Sequence, residues 1–142
     1  MVEPISTSLA IFASVMSIAA SIKQLMQDRN VPSEEALKLF QETASPKEIE
    51  VLESPANKSA IIELTTISDK LLKQLSKEAQ ECEDQHIKDR KDAGGKIDEE
   101  QAESDAEQCM CSVLRTIKRR NKRQLPPSGP LIDWWESYNC KD

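Results

Sequence analysis

Four cysteines and a single histidine are the residues of this 142-residue chain whose types and spacing could support chemistry. Cys82 and His86 are four residues apart, so they share one face if the segment is helical. Cys109 and Cys111 follow in a later segment that also has helical character. Because sulfur and imidazole nitrogen bind zinc tetrahedrally, Cys82, His86, Cys109 and Cys111 are candidate zinc ligands.

Two other interpretations of the cysteines stay open. Cys82 and Cys109 each continue an apolar row, and unpaired cysteine is among the most buried residue types, so we favour small thiols in a core. A Cys82–Cys109 or Cys111–Cys140 disulfide is the alternative, and it requires an oxidising compartment. Residues two apart on a helix point about 200° apart, so Cys111 would join a zinc site only after local distortion. We therefore expect no metal and no other cofactor.

Motifs for nucleophilic catalysis and phosphate binding are missing from the sequence. It has one histidine, no serine between glycines and no GxxxxGK[ST] loop. We expect no enzymatic activity, no catalytic residue and no small-molecule substrate.

Residues 98–123 carry acidic side chains at one end and basic side chains at the other. The acidic ones are Asp98, Glu99, Glu100, Glu103, Asp105 and Glu107. The basic ones are Arg115, Lys118, Arg119, Arg120, Lys122 and Arg123. The helix macrodipole favours this order, and the basic end could also bind a protein partner or anionic lipid head groups. The net charge of −6 disfavours nucleic acid as a partner.

The elements that must position these residues are helices. Only three glycines and 4% aromatic residues, with abundant helix formers, predict an all-α fold in one domain. Helices are predicted to start at Pro32-Ser33, Ser45-Pro46 and Ser54-Pro55, since serine caps a helix and proline suits its first turn. Ser45 with Glu48 also fits a capping box.

Two long helices are predicted over residues 58–91 and 98–122, separated at Gly94-Gly95 and forming an antiparallel hairpin. The buried row of the first comprises Leu64, Ile67, Leu71, Leu75, Ala79, Cys82 and His86. After this bundle, residues 1–125, we expect a Pro-rich turn and a short C-terminal helix within residues 126–142.

The C-terminal segment carries Leu131, Trp134, Trp135 and Tyr138 at helical spacing. We expect this aromatic face to dock on the bundle, because a buried tryptophan contributes about 3–5 kcal/mol. The alternative is a loose tail whose tryptophans anchor a partner.

Residues 4–22 contain no charge, although 31% of the chain is charged. As a helix they extend about 28 Å, close to the ~30 Å thickness of a membrane's hydrocarbon core. Their many serines disfavour a permanent anchor, and Glu3 without a nearby Lys or Arg disfavours an export signal. We favour an ordinary core helix of a soluble bundle, and the alternative is a helix that inserts into a membrane or oligomerises.

The segments Glu3-Pro4-Ile5-Ser6 and residues 9–15 (LAIFASV) resemble the N-terminus of HeLo-like domains and their bacterial Bell counterparts, which are helical cell-death effectors. The resemblance implies a first helix held on a bundle until oligomerisation releases it to permeabilise a membrane. The inserting face would be Ile5, Leu9, Phe12, Val15, Met16 and Ile18.

The sequence thus predicts a non-enzymatic effector or interaction module, cytoplasmic or peripheral to a membrane, that self-associates or engages membranes through its first helix. The alternative is a soluble adaptor that binds a protein through its basic helix end and C-terminal aromatic face.

Overall fold

The computed structural model describes residues 5–92, 94, 99–120 and 130–141. Within these ranges the chain forms seven α-helices and no strand, which confirms the predicted all-α bundle. The helices are α1 (Ile5–Arg29), α2 (Ser33–Thr43), α3 (Pro46–Leu52), α4 (Pro55–Leu64), α5 (Asp69–Asp92), α6 (Glu99–Arg120) and α7 (Pro130–Ser137).

Helix α1 is the centre of the bundle. It packs against α2, α3, α4, α5 and α6, and most extensively against α5. Its large apolar side chains form the core together with Leu52, Ile61, Leu75 and Leu114 from the surrounding helices. A helix that is contacted on most sides needs apolar or small residues around most of its circumference, and the uncharged sequence of residues 4–22 supplies them.

The predicted helix starts are confirmed, with one difference in capping. Ser45 accepts a hydrogen bond from the backbone N–H of Glu48, whose side chain accepts one from the N–H of Ser45, so the capping box forms. Ser54 caps α4 in a similar way through the N–H of Asn57. Helix α2 begins at Ser33, but its N-cap is Pro32 and no side chain caps it.

The prediction of one long helix over residues 58–91 is wrong. Helix α4 ends at Leu64, and a separate helix, α5, begins at Asp69. The hydroxyls of Thr65 and Thr66 donate to the backbone carbonyls of Ile62 and Glu63, at 2.6 and 2.7 Å. Ser68 then caps α5 by accepting from the N–H of Leu71. Short hydroxyl side chains compete for backbone groups in this way, which ends one helix and starts the next.

Helices α5 and α6 form the predicted antiparallel hairpin. The Cα atoms of Cys82 and Cys109 are 6.0 Å apart across it. Gly94 lies in the connection with a φ of 59°, a left-handed conformation that glycine adopts at little cost.

Helix α7 docks on α4 and α6, as predicted for the C-terminal aromatic segment. Leu131 is buried, while Trp134, Trp135 and Tyr138 are half-buried against the core. The Pro-rich turn and the proposed boundary between residues 125 and 126 lie outside the described residues.

Candidate functional site

The predicted inserting face of α1 lies in the centre of the core. Leu9, Phe12, Val15, Met16 and Ile18 are each at most 1% exposed. The sixth residue predicted for this face, Ile5, has a side chain outside the described set. The opposite side of α1 reaches the surface at Ser17 and Ser21, which are exposed. Helix α1 is therefore a packed core helix with one narrow polar edge.

The same helix has the length and composition of a membrane span. The 21-residue stretch Leu9–Arg29 contains an 18-residue window with a mean hydropathy of 1.6. Core helices of soluble proteins and signal sequences also reach such values, so this property permits membrane association without establishing it.

Helix α7 covers α1 at Phe12. The ring centroids of Phe12 and Trp134 are 5.1 Å apart and their planes are tilted by 53°, a favourable arrangement for two aromatic rings. Trp134 is half-buried and packs against the core, so part of its side chain stays accessible to solvent. The ammonium of Lys118 on α6 lies 4.7 Å from the ring centroid of Trp135. The aromatic face of α7 therefore joins the first helix to the basic end of α6.

Both ends of the α7 segment are attached to the bundle. At its start, the backbone N–H of Leu131 donates to Glu63 Oε1 on α4, at 3.3 Å. After its end, Cys140 forms a disulfide with Cys111 on α6, with their Cα atoms 5.3 Å apart. Arg115 Nη1 also donates to the carbonyl oxygen of Lys141, at 3.0 Å. We call the segment from Pro130 to Lys141 the C-terminal strap.

Two ionisable groups at the strap have raised pKa values. Burial raises the pKa of Glu63 above its usual 4.5, and nearby Asp133 adds to this, although the hydrogen bond from Leu131 opposes it. Burial also raises the pKa of Tyr138 above 10.0, with a further contribution from Glu107. In both cases the low-dielectric surroundings disfavour the charged form.

The bonding state of the cysteines differs from the one favoured from the sequence. All four are paired, as Cys82–Cys109 and Cys111–Cys140, so the expectation of unpaired core thiols is wrong. The candidate zinc set is not assembled either, because its three sulfur atoms are bonded to sulfur and Cys111 is bonded to Cys140. His86 is 8% exposed, and its Nε2 has no hydrogen-bond partner. Among the described residues no group of three or more His, Cys, Asp or Glu is placed to hold a metal ion.

The basic end of α6 adjoins the strap. Arg119 and Arg120 are exposed, whereas Arg115 and Lys118 are half-buried against strap residues. The remaining members of the predicted basic surface, Lys122 and Arg123, lie outside the described residues. Part of the predicted anionic-lipid or partner surface thus also positions the strap.

Sequence reasoning missed Glu63 as an attachment point for the strap. Its bond to Leu131 joins residues 68 positions apart, and a lone glutamate on a short helix gives no signal of such a contact. The attachment of Arg115 to Lys141 was missed for the same reason, although Arg115 was predicted as a surface residue.

The fold and these contacts define a helical bundle whose membrane-length first helix is contacted at Phe12 by a disulfide-linked strap. No protein-family model, curated protein or solved structure matches the chain. The likeness of residues 3–15 to HeLo-like and Bell domains therefore stays a prediction.

Proposed function

We propose that this protein is a non-enzymatic helical effector that self-associates or engages membranes through α1, in a cell-death or defence-like role. The observation that carries the proposal is the dual character of α1. It is long and apolar enough to cross a membrane, yet its apolar side chains are packed in the core of the bundle. A helix with both properties can exchange one apolar environment for the other.

The exchange would replace protein contacts of Leu9, Phe12 and Met16 with lipid or with a second copy of the chain. Release of α1 would also break the hydrogen bond that Lys23 Nζ donates to the carbonyl oxygen of Thr65, at 2.8 Å. The charged residues Lys23, Asp28 and Arg29 are at its C-terminal end, where they can stay at the membrane surface.

Attraction to an anionic membrane would come from the exposed end of α6. Arg119 and Arg120 could each contribute about 1 kcal/mol near anionic lipid head groups. We propose a cytoplasmic protein, peripheral to the membrane in its packed form. Disulfides are rare in the cytosol, and those found there are mostly transient or redox-sensing, so this location implies that the Cys111–Cys140 bond opens and closes with the redox state.

The test measures dye leakage from anionic vesicles. Ser17 and Ser21 are exposed, so Ser17→Glu with Ser21→Glu should leave the bundle folded while placing two charges on the inserting helix. Each charge near the membrane centre costs about 2.5–3.5 kcal/mol. Wild type should release dye and this variant should not.

A matched control adds the same two charges to α6, where Gln108 and Ser112 are also exposed and four residues apart. Gln108→Glu with Ser112→Glu should leak as wild type does. Leakage that is equal in the α1 variant and in wild type contradicts the proposal, as does a wild type that never leaks.

The second candidate function is that of an adaptor which binds a protein partner. The contact between Lys118 and Trp135 favours it, because it unites the basic end of α6 and the aromatic face of α7 in one surface. Under this hypothesis Arg119→Glu with Arg120→Glu abolishes partner cross-linking, whereas the α1 double variant does not affect it.

A further inference from the structure

The C-terminal strap contains too little helix to hold itself in place. Helix α7 has eight residues, and isolated helices shorter than about 12–15 residues are marginal in water. Its position therefore depends on its contacts with the bundle. These are the side chains of Leu131, Trp134 and Trp135 and the attachments at the two ends.

Among those attachments, the Cys111–Cys140 disulfide is the covalent one. It keeps the end of the strap within a few ångströms of α6, and so keeps the weaker contacts at high effective concentration. The bond from Leu131 to Glu63 and the bond from Arg115 to Lys141 are single hydrogen bonds, which exchange with water far more readily than a covalent bond breaks.

The two cysteines of this disulfide differ in exposure. Cys111 is 5% exposed, whereas Cys140 is half-buried in the segment after α7. A reductant therefore reaches Cys140 more easily than Cys111. Cys111 Sγ lies 3.8 Å from the carbonyl oxygen of Tyr138, which can accept a weak hydrogen bond from the thiol once it forms.

We infer that the Cys111–Cys140 disulfide is a redox modification site whose reduction by a dithiol detaches the strap and uncovers Phe12, with the bundle of α1–α6 still folded. The effect on membranes rests on the proposed function of α1. The detachment itself does not.

The chemistry is thiol–disulfide exchange. A thiolate of the dithiol bonds to Cys140 Sγ, and the bond between Cys140 and Cys111 breaks, with its electron pair passing to Cys111 Sγ, which takes a proton. The second thiol of the reductant, as thiolate, then displaces Cys140, which also takes a proton. The protein gains two electrons and two protons, and the dithiol becomes a disulfide.

The other disulfide is a matched control inside the same chain. Cys82–Cys109 closes a segment of nearly equal length, with sequence separations of 27 and 29 residues for the two bonds. It joins α5 and α6, which adjoin in sequence and pack against each other and against α1. Opening it removes a cross-link but uncovers no part of α1 at Phe12.

Intrinsic fluorescence tests the detachment directly, because both tryptophans of the chain, Trp134 and Trp135, are on α7. Cys111→Ala with Cys140→Ala should shift the tryptophan emission to longer wavelength. It should also make the two tryptophan side chains more accessible to quenching by acrylamide. Far-UV circular dichroism should lose at most the helical signal of the eight residues of α7. Cys82→Ala with Cys109→Ala should keep the wild-type emission.

Titration of wild type with dithiothreitol, with free thiols counted in parallel, gives a second route to the same reduced state. The emission shift should follow the opening of Cys111–Cys140. An unchanged emission in the reduced protein and in the Cys111/Cys140 variant would overturn the inference. Loss of most of the helical signal would also overturn it, since the bundle would then unfold as a whole.

Vesicle leakage separates this inference from the proposed function. Loss of one aromatic contact should raise the leakage rate of the Cys111/Cys140 variant about two- to tenfold over oxidised wild type. A shifted emission without leakage in any variant supports the strap and contradicts the membrane role. Leakage that rises while the emission stays unchanged contradicts the strap.

Discussion

The region around α1 is stabilised by apolar packing, whereas the outer part of the α5–α6 hairpin, from Cys82 on α5 to Cys109 on α6, depends on a covalent link. Around α1, large side chains such as Phe12, Met16 and Ile22 are fully buried and pack against five helices. In the outer hairpin the buried residues are small or polar, namely Ala102, Ala106 and His86, and a disulfide joins the two helices.

This difference indicates which parts of the molecule can move independently. Apolar packing stabilises only while the surfaces stay in contact, so α1 loses it if it leaves the bundle, unless lipid or another copy replaces it. The Cys82–Cys109 bond joins α5 to α6 and does not depend on contact with α1. We expect the hairpin to act as the scaffold and α1 with its strap to act as the releasable part.

The largest expected effect is that of Phe12→Ala. Truncating a buried phenylalanine should reduce the free energy of unfolding by about 3–5 kcal/mol, measured by urea denaturation. Phe40, the other phenylalanine of the chain, is half-buried, so Phe40→Ala should cost clearly less. Equal losses of unfolding free energy at the two positions would contradict this expectation, since α1 would then not be the centre of the core.

Removal of either disulfide should reduce stability by a similar amount, because the closed segments are nearly equal in length. Loop closure in the unfolded chain predicts about 3–4 kcal/mol for each. The two variants should nevertheless differ in tryptophan emission, as described above for the strap. A much larger loss for Cys82→Ala with Cys109→Ala would mean that the hairpin, rather than α1, holds the bundle together.

A smaller effect, of opposite sign, is expected for His86→Leu. His86 is buried and its Nε2 has no hydrogen-bond partner, so the native protein carries the cost of desolvating that nitrogen. Replacement by an apolar side chain should raise the free energy of unfolding by about 1–2 kcal/mol in urea denaturation. A loss of stability would show that His86 contributes packing or a polar contact that leucine cannot replace.

The smallest effect is the pH dependence contributed by Glu63. Its pKa is raised in the folded state, mainly by burial, so the folded protein binds a proton more tightly than the unfolded chain. Stability should therefore fall as pH rises from the unfolded pKa, near 4.5, through the higher folded pKa. Glu63→Gln still offers Leu131 an acceptor, and it should remove this slope and be at least as stable as wild type at neutral pH. A slope unchanged in thermal denaturation across this range would show that other groups cause it.

Much of the fold could be predicted because its signals are local. The Ser-Pro pairs that start α3 and α4 act within one turn, and the apolar spacing of α5 and α6 extends over many turns. The break after Leu64 could not be predicted from periodicity, since Ile67 and Leu71 continue the apolar row across it. The hydroxyl side chains of Thr65 and Thr66 were the local signal for a helix end. The apolar row that continues past them favoured an unbroken helix instead.

The candidate site was predictable in part for the same reason. The buried face of α1 follows from an uncharged segment, and the docking of α7 follows from its tryptophans. The pairing of Cys111 with Cys140 and the bond from Leu131 to Glu63 depend on where the strap meets the bundle. Spacing along the chain does not encode such long-range contacts, so four cysteines permitted thiol, disulfide and zinc interpretations alike.

Labelling from within a bilayer tests most directly whether α1 leaves the bundle. Reduced protein would be bound to anionic vesicles that contain a photoactivated, lipid-buried reagent, and the labelled peptides identified by mass spectrometry. We expect label in α1, concentrated between Leu9 and Ile22, and a strong decrease after Ser17→Glu with Ser21→Glu. Label confined to α6 and α7, or no label in α1 at any redox state, would contradict it.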